Sequence, residues 1–229
     1  MTERVALISG ASGGIGSCVA RLLVENGWHL SLGARDAAAL QKAFPEAQVV
    51  RHDAMAGDED DWVAQAKQHY GRIDAVICAA GVLVADDVVH ISDEAFGHMW
   101  EVNVNSPRRL VRAAWSNLIN CGAGRIVTLV SLSGKRVRSA PSASYAVSKH
   151  AALALTHGFR HEGWQHGIRA TSICPGRVRT EMTRAVTDLT PEEMTQPEDV
   201  AAMVRLALDM PNTAALAEMT VNCELEDQF

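Results

Sequence analysis

Ser9-Gly10-Ala11-Ser12-Gly13-Gly14-Ile15-Gly16 lies between an apolar run, Val5 to Ser9, and a segment in which Ile15, Cys18, Val19, Leu22 and Leu23 recur at helical spacing. The chain therefore passes from a strand through a glycine turn into a helix with one apolar stripe. The first amides of a helix have no intrahelical acceptor, and the helix dipole adds partial positive charge beside them, so this junction is an anion site that fits a pyrophosphate. Gly10 serves a tight turn, Gly14 the close approach of backbone to phosphate, and Gly16 helix-on-strand packing. Ser12, Gly13 and Ile15 complete the loop as cofactor-binding positions. A glycine turn without a ligand is the bland alternative, and the place directly after the opening strand argues against it.

Outward from this loop, β-rich apolar runs alternate with helical patterns. The runs are Val5 to Ser9, Leu30 to Gly33, Val49 to Arg51, Asp74 to Ala79, Arg125 to Ser131, Ala170 to Cys174 and Leu216 to Val221. Strand then helix, repeated, means parallel βαβ units. Runs such as Ala75-Val76-Ile77-Cys78-Ala79 are apolar throughout, which fits strands covered on both faces. The expectation is an α/β fold, a Rossmann-type doubly wound parallel sheet of about seven strands with helices on both faces. No repeat or linker divides the chain, so residues 1–229 form a single dinucleotide-binding and catalytic domain. Asp93 to Asn120 and Ala143 to Gln165 read as long helices, and Thr190-Pro191-Glu192-Glu193 as a capped helix start. The second long helix is apolar nearly all round, which calls for a subunit partner in a homodimer or homotetramer.

Composition narrows the class. A 229-residue chain with 48% hydrophobic and 21% charged residues is globular, and no run approaches the length of a membrane span. A net charge of −6 offers no field for a nucleic-acid backbone. Met1 to Val5 shows no export leader, and Cys18, Cys78, Cys121, Cys174 and Cys223 stand singly, as expected of buried thiols in the cytoplasm.

Gly10-x3-Gly14-x-Gly16, Ser131 and Tyr145-Ala146-Val147-Ser148-Lys149 together resemble the short-chain dehydrogenase/reductase family across nearly the whole chain. The resemblance implies a catalytic tetrad of Asn103, Ser131, Tyr145 and Lys149, the last two also touching the cofactor. Cys78-Ala79-Ala80-Gly81 occupies the place of the family's Asn-Ala-Ala-Gly segment, with cysteine in place of the asparagine that ties neighbouring strands. Pro175-Gly176-Arg177-Val178-Arg179-Thr180 is similar to the segment along the nicotinamide, with Thr180 at its carboxamide, and Asp53-Ala54 to the segment near the adenine. Residues 177–195 correspond to a short substrate-covering segment, and the family's glycine-rich tail is missing from Leu225 to Phe229. Ala34 holds the position where NAD-binding relatives carry an acid, and Arg35 follows with a guanidinium suited to a 2′-phosphate, which favours NADP over a possible NAD. Asp36 is a competing neighbour able to pair with Arg35 or approach a ribose.

The chemistry follows from the residue types. Tyrosine four positions before lysine puts both side chains on one helix face. A phenol has a pKa near 10, and an adjacent ammonium favours its ionised form. Hydride delivery to a carbonyl carbon leaves negative charge on oxygen, which Tyr145 can neutralise by donating its proton; oxidation runs the same path in reverse. Ser131 can hold the substrate oxygen, and Asn103 can support a water linking Lys149 to solvent. The expected function is an NADP(H)-dependent oxidoreductase acting on a small-molecule carbonyl or secondary alcohol, and the alternative is an NADPH-binding sensor without turnover. Ser133 and Ser148 read as a loop hydroxyl and a helix-face filler. His157 and His161 read as solvated rather than as metal ligands, so no metal is expected, and the basic loop Lys135-Arg136-Val137-Arg138, on the side where the resemblance implies substrate entry, reads as ordinary solvated charge, with attraction of an acidic substrate as the alternative.

Overall fold

All seven apolar runs form strands, each within two residues of the limits expected from sequence. They are β1 (Val5–Ser9), β2 (His29–Ala34), β3 (Gln48–Arg51), β4 (Ala75–Cys78), β5 (Arg125–Leu129), β6 (Arg169–Pro175) and β7 (Glu218–Val221). The structure is a computed structural model and describes residues 3–225, so the tail from Glu226 to Phe229 lies outside the described residues. Every strand pair is parallel, in the order β3-β2-β1-β4-β5-β6-β7. The fold is a Rossmann-type doubly wound sheet.

Among the described residues eight α-helices complete it: α1 (Gly14–Glu25), α2 (Ala37–Ala43), α3 (Glu59–Tyr70), α4 (Asp93–Trp100), α5 (Ser106–Asn120), α6 (Ala143–Gly163), α7 (Glu181–Arg184) and α8 (Pro197–Asp209). Alternate strand residues point to opposite faces, and both faces are apolar because helices cover both. Ile8, Leu32, Ile77 and Ile173 meet Val19 and Leu23 of α1 and Val200 and Val204 of α8. On the other face Leu7, Val76 and Ile126 meet Trp62 of α3, Leu110 and Leu118 of α5 and Phe159 of α6.

This topology decides where chemistry can occur. The chain leaves β1 toward β2 on one side and returns to β4 on the other, so a crevice opens at the carboxyl ends of β1 and β4. The glycine loop, Ala79-Ala80-Gly81, Ser131 and Gly176 all follow strands directly and gather along that edge.

Three expectations need correction. Residues 93–120 are not one α-helix: a π-helical turn, Glu101–Asn105, joins α4 to α5. Pro107 cannot donate to the carbonyl four residues back, which belongs to Asn103, so the α-helical ladder is interrupted there. The helix expected at Thr190 begins instead at Pro197. Thr190 N–H does donate to Glu193 Oε2 (2.8 Å), but Thr195 pairs in parallel with Val178 and holds the chain extended until the Gln196/Asp199 capping box starts α8. Finally, α6 is not buried through apolar residues alone, because Ser144, Ser148, Lys149 and Thr156 lie on its buried side while Val147 is 40% exposed.

Candidate active site

At the glycine loop backbone meets backbone. Gly10 has φ 70°, and a Cβ there would lie 2.6 Å from Ala80 N, which is why the chain after β4 can pass so close. A Cβ at Gly16 would lie 2.3 Å from Gly10 O, so this position packs the helix onto the turn. Gly14 faces the Thr180 methyl group, whose Cγ2 would sit 3.2 Å from an added Cβ. The N-cap of α1 is Gly13, with no side-chain cap bond and no acidic residue in the first turn. The leading amides of a 12-residue helix are thus left to an anion, and Ser12 and Gly13 stay exposed beside them. A dinucleotide's pyrophosphate fits this set.

A cavity of about 320 Å³ runs from Ile15 at this loop to the far end of the sheet edge. Of the residues expected at the site, Ile15, Ala79, Gly81, Ser131, Tyr145, Lys149, Pro175, Gly176, Val178 and Thr180 line it. Gly10, Gly16 and Ala80 shape its floor through the contacts above.

At the other end of the crevice Ala34 closes β2, 6% exposed, and Arg35 follows it exposed on the surface. Asp36 is committed elsewhere: its Oδ1 accepts from Ala39 N–H (3.0 Å) and caps α2. The Asp53-Ala54 loop is anchored from α5, where Arg109 Nη2 donates to Ala54 O (2.7 Å) while Arg109 Nε donates to the buried Glu59 (2.7 Å). Asp53 Oδ1 accepts from Met55 N–H (3.0 Å), which shapes the turn.

The tetrad assembles from three elements. Tyr145 and Lys149 sit one turn apart on α6, and Ser131 follows β5. Ser131 accepts from Ser133 N–H (3.0 Å) and stands close enough to the Tyr145 phenol to influence its ionisation. Burial pushes the phenol well above its usual pKa, and Ser131 pulls the other way. Lys149 Nζ lies 5.7 Å from the Tyr145 ring centre and donates to Leu129 O (2.9 Å). Burial lowers its pKa to about 8, opposed by the Cys174 thiol. From sequence the ammonium is expected to dominate the phenol; burial is the larger influence, and Ser131 is the group that counters it.

Asn103 stands behind the cavity wall, 2% exposed. Its Oδ1 accepts from Val82 N–H (2.9 Å), and its Nδ2 donates to Val82 O (2.9 Å) and Ser148 Oγ (3.0 Å). Ser148 in turn donates to Tyr145 O (2.8 Å). The side chain read from sequence as a filler therefore joins the π-turn to α6, the helix of Tyr145 and Lys149. Its place three residues after Tyr145, on the lysine side of the helix, was the available signal.

Other residues were legible only in part. Cys78 packs as a core side chain, its thiol pushed up to about 12 by burial, while the Ser9 hydroxyl accepts from Ala80 N–H (3.4 Å) across the strands. His157 is not merely solvated, since its Nε2 lies 2.8 Å from Glu218 Oε1 on β7. Among the described residues no His, Cys, Asp and Glu cluster could hold a metal, and no helix is long and apolar enough to cross a membrane. The cavity wall opposite the glycine loop, with Arg136, Arg138, Arg177 and Asn222, was not identified as a unit from sequence.

Comparison with known proteins agrees with this geometry. Agropine synthesis reductase of Rhizobium rhizogenes is 36% identical over 231 residues, covering 97% of this chain and 53% of the relative. The chain thus spans about half the length of that protein. An alcohol dehydrogenase from Thermococcus sibiricus complexed with 5-hydroxy-NADP superposes with a TM-score of 0.86 at 28% identity, covering 96% of this chain and 97% of that one. An actinorhodin polyketide ketoreductase variant with NADPH superposes with a TM-score of 0.87 at 25% identity, covering 96% and 95%. The short chain dehydrogenase profile matches residues 4–190, the stretch that holds the glycine loop and all four tetrad residues, and the chain belongs to the short-chain dehydrogenase/reductase family of oxidoreductases.

Proposed function

We propose that the chain is an NADP(H)-dependent oxidoreductase that moves a hydride between nicotinamide and a carbonyl or secondary alcohol, with Tyr145 as general acid and base. The observation that carries this reading is one continuous cavity with the helix-initiating loop at one end and, in its wall, the buried Tyr145 together with Ser131 and Lys149. Nicotinamide supplies the hydride when bound. The pocket supplies position and a proton. Pro175, Gly176, Val178 and Thr180 form the wall against which the ring would rest, and Ser131 would orient the substrate oxygen toward the phenol. Because burial keeps Tyr145 protonated at neutral pH, its Oη can give a proton to oxygen as negative charge develops there. Lys149, held at Leu129 O and titrating near 8, is placed to restore that proton through its Nζ.

NADP(H) is favoured over NAD(H) because β2 ends in Ala34, Asp36 is occupied as a cap, and Arg35 is exposed with no ion pair among the described residues. A guanidinium there suits a 2′-phosphate. The segment 177–195 is read as the substrate cover. Arg179 N–H donates to Thr195 O (2.9 Å) and Thr195 N–H to Arg177 O (3.1 Å), closing its base, while Met182, Thr183 and Val186 line the cavity. A homodimer or homotetramer completes the reading, with Val147 of α6 and Trp100 of α4 as exposed apolar side chains for a partner copy to cover.

NADPH consumption across a panel of ketones and aldehydes tests the proposal. Tyr145→Phe should remove turnover at least 100-fold while leaving NADPH binding, followed by fluorescence, within about threefold. Undiminished turnover in that variant would remove Tyr145 from its role. NADPH binding with no carbonyl reduced would favour a sensor.

A further inference from the structure

We propose that the carbonyl substrate carries a carboxylate, gripped by Arg138 and Arg177, while its carbonyl oxygen faces Tyr145. This rests on the reductase reading above and specifies its substrate class. The chain as a whole has a net charge of −6, yet among the described residues the charged side chains lining the cavity are Lys149, Arg136, Arg138 and Arg177. The charged groups that the described residues present to the cavity are thus cationic, which suits an anionic substrate.

Two of these guanidiniums already converge on a carboxylate. Arg138 Nη1 donates to Glu224 Oε2 (3.2 Å), and Arg177 Nη1 donates to the same oxygen. Arg138 comes from the connection after β5, Arg177 from the turn after β6 and Glu224 from the stretch after β7, so three separate segments meet there. Among the described residues these two cations share one carboxylate, so their charges are only half matched by it. Each guanidinium has five N–H donors, and the bond to Glu224 engages one nitrogen of each. The planar fork matches a carboxylate.

Cofactor phosphates do not account for this cluster. Arg138 and Arg177 are held at Glu224 beyond the edge strand β7, whereas the glycine loop follows β1, four strands away in the sheet order. Arg35 follows β2, one strand further still. The arginines line the same cavity as Ser131, Tyr145 and Leu83, which offer contacts for a substrate's polar and apolar parts. The carboxylate takes no part in bond changes: NADPH gives two electrons as hydride to the carbonyl carbon, and Tyr145 gives the proton to its oxygen.

The test uses matched pairs of ketones and aldehydes, each pair one carbon skeleton as the carboxylate and as the primary amide, assayed by NADPH consumption. Carboxylates should be preferred by about tenfold or more in kcat/KM, a size set by charge-assisted hydrogen bonds on a partly exposed wall. Arg177→Gln and Arg138→Gln should each shrink that preference, chiefly through KM. Glu224→Gln should enlarge it about threefold by releasing both guanidiniums, an effect that a merely structural role for the cluster would not produce. Equal or better turnover of the amides overturns the inference and leaves the reductase reading standing. If no carbonyl is reduced, the reductase reading fails, and calorimetric titration of the NADPH-loaded protein with benzoate and benzamide decides the inference on its own. Tighter benzoate binding that is lost in Arg177→Gln upholds it, and equal binding overturns it.

Discussion

Gly10→Ala separates two reasons for glycine that are easily confused. Gly10 has φ 70°, and its added Cβ would lie 2.6 Å from Ala80 N and 2.7 Å from Ala80 Cα. Gly27 has nearly the same backbone, φ 76°, but open space around it. A left-handed conformation costs an L-residue about 1–2 kcal/mol, so Gly27→Ala should lose about that much stability. Gly10→Ala pays the same strain and must also push the backbone of Ala80 aside, an overpacking cost of about 1–3 kcal/mol, for a total of about 2–5 kcal/mol. For a chain of this size each kcal/mol shifts Tm by about 2–4 °C, so the two variants should be clearly resolved in urea and thermal melts. NADPH affinity gives a second readout. Gly10→Ala moves the loop that leads into α1 and should weaken binding at least tenfold at a temperature where it remains folded, whereas Gly27→Ala, at the far end of that helix, should leave affinity unchanged. If both variants melt alike and bind alike, the close passage of the two turns is not what demands glycine, and the account of the crevice floor is wrong.

Two other predictions follow from the charges. Arg35→Ala should narrow the preference for NADPH over NADH by about 10–100-fold, the range expected for lost charge-assisted bonds to a phosphate; an unchanged ratio in fluorescence titrations would place 2′-phosphate recognition elsewhere. Burial lowers Lys149 from its ordinary 10.5 to about 8, so between those values the unfolded chain binds more protons than the folded one, and stability must rise with pH. From pH 8 to 10 the gain should be about 2 kcal/mol relative to Lys149→Met, measured by urea denaturation. A parallel pH profile in the variant would show that Lys149 is not held away from water.

The strands were legible because a parallel strand covered on both faces leaves an uninterrupted apolar run, as in Ala75 to Cys78. The π-turn was not, because the apolar spacing of residues 93–120 continues through it and only Pro107 interrupts the ladder. Thr190 to Glu193 makes real capping bonds, yet a helix also needs a continuation, and the Val178–Thr195 pairing denies it one. Ser148 was underrated for a similar reason. A serine in mid-helix has no local signature of importance, and its value comes from Asn103, 45 residues earlier in the chain.

What the amino-acid order determined alone is whatever lies within about one helical turn or one strand: the glycine turn entering α1, the Tyr145–Lys149 spacing, the loss of an acid at Ala34. Periodicity and backbone sterics act between near neighbours, and those are written in order. The tertiary structure decided that Ser131 meets Tyr145, that Asn103 reaches Ser148, and that Arg138 and Arg177 close on Glu224. It also decided the protonation of the site, because burial of Tyr145 and Lys149 outweighs the charges beside them. Such partners come from strands joined by long crossovers, and desolvation depends on everything that packs around a group, so neither can be read from the residues adjacent in sequence.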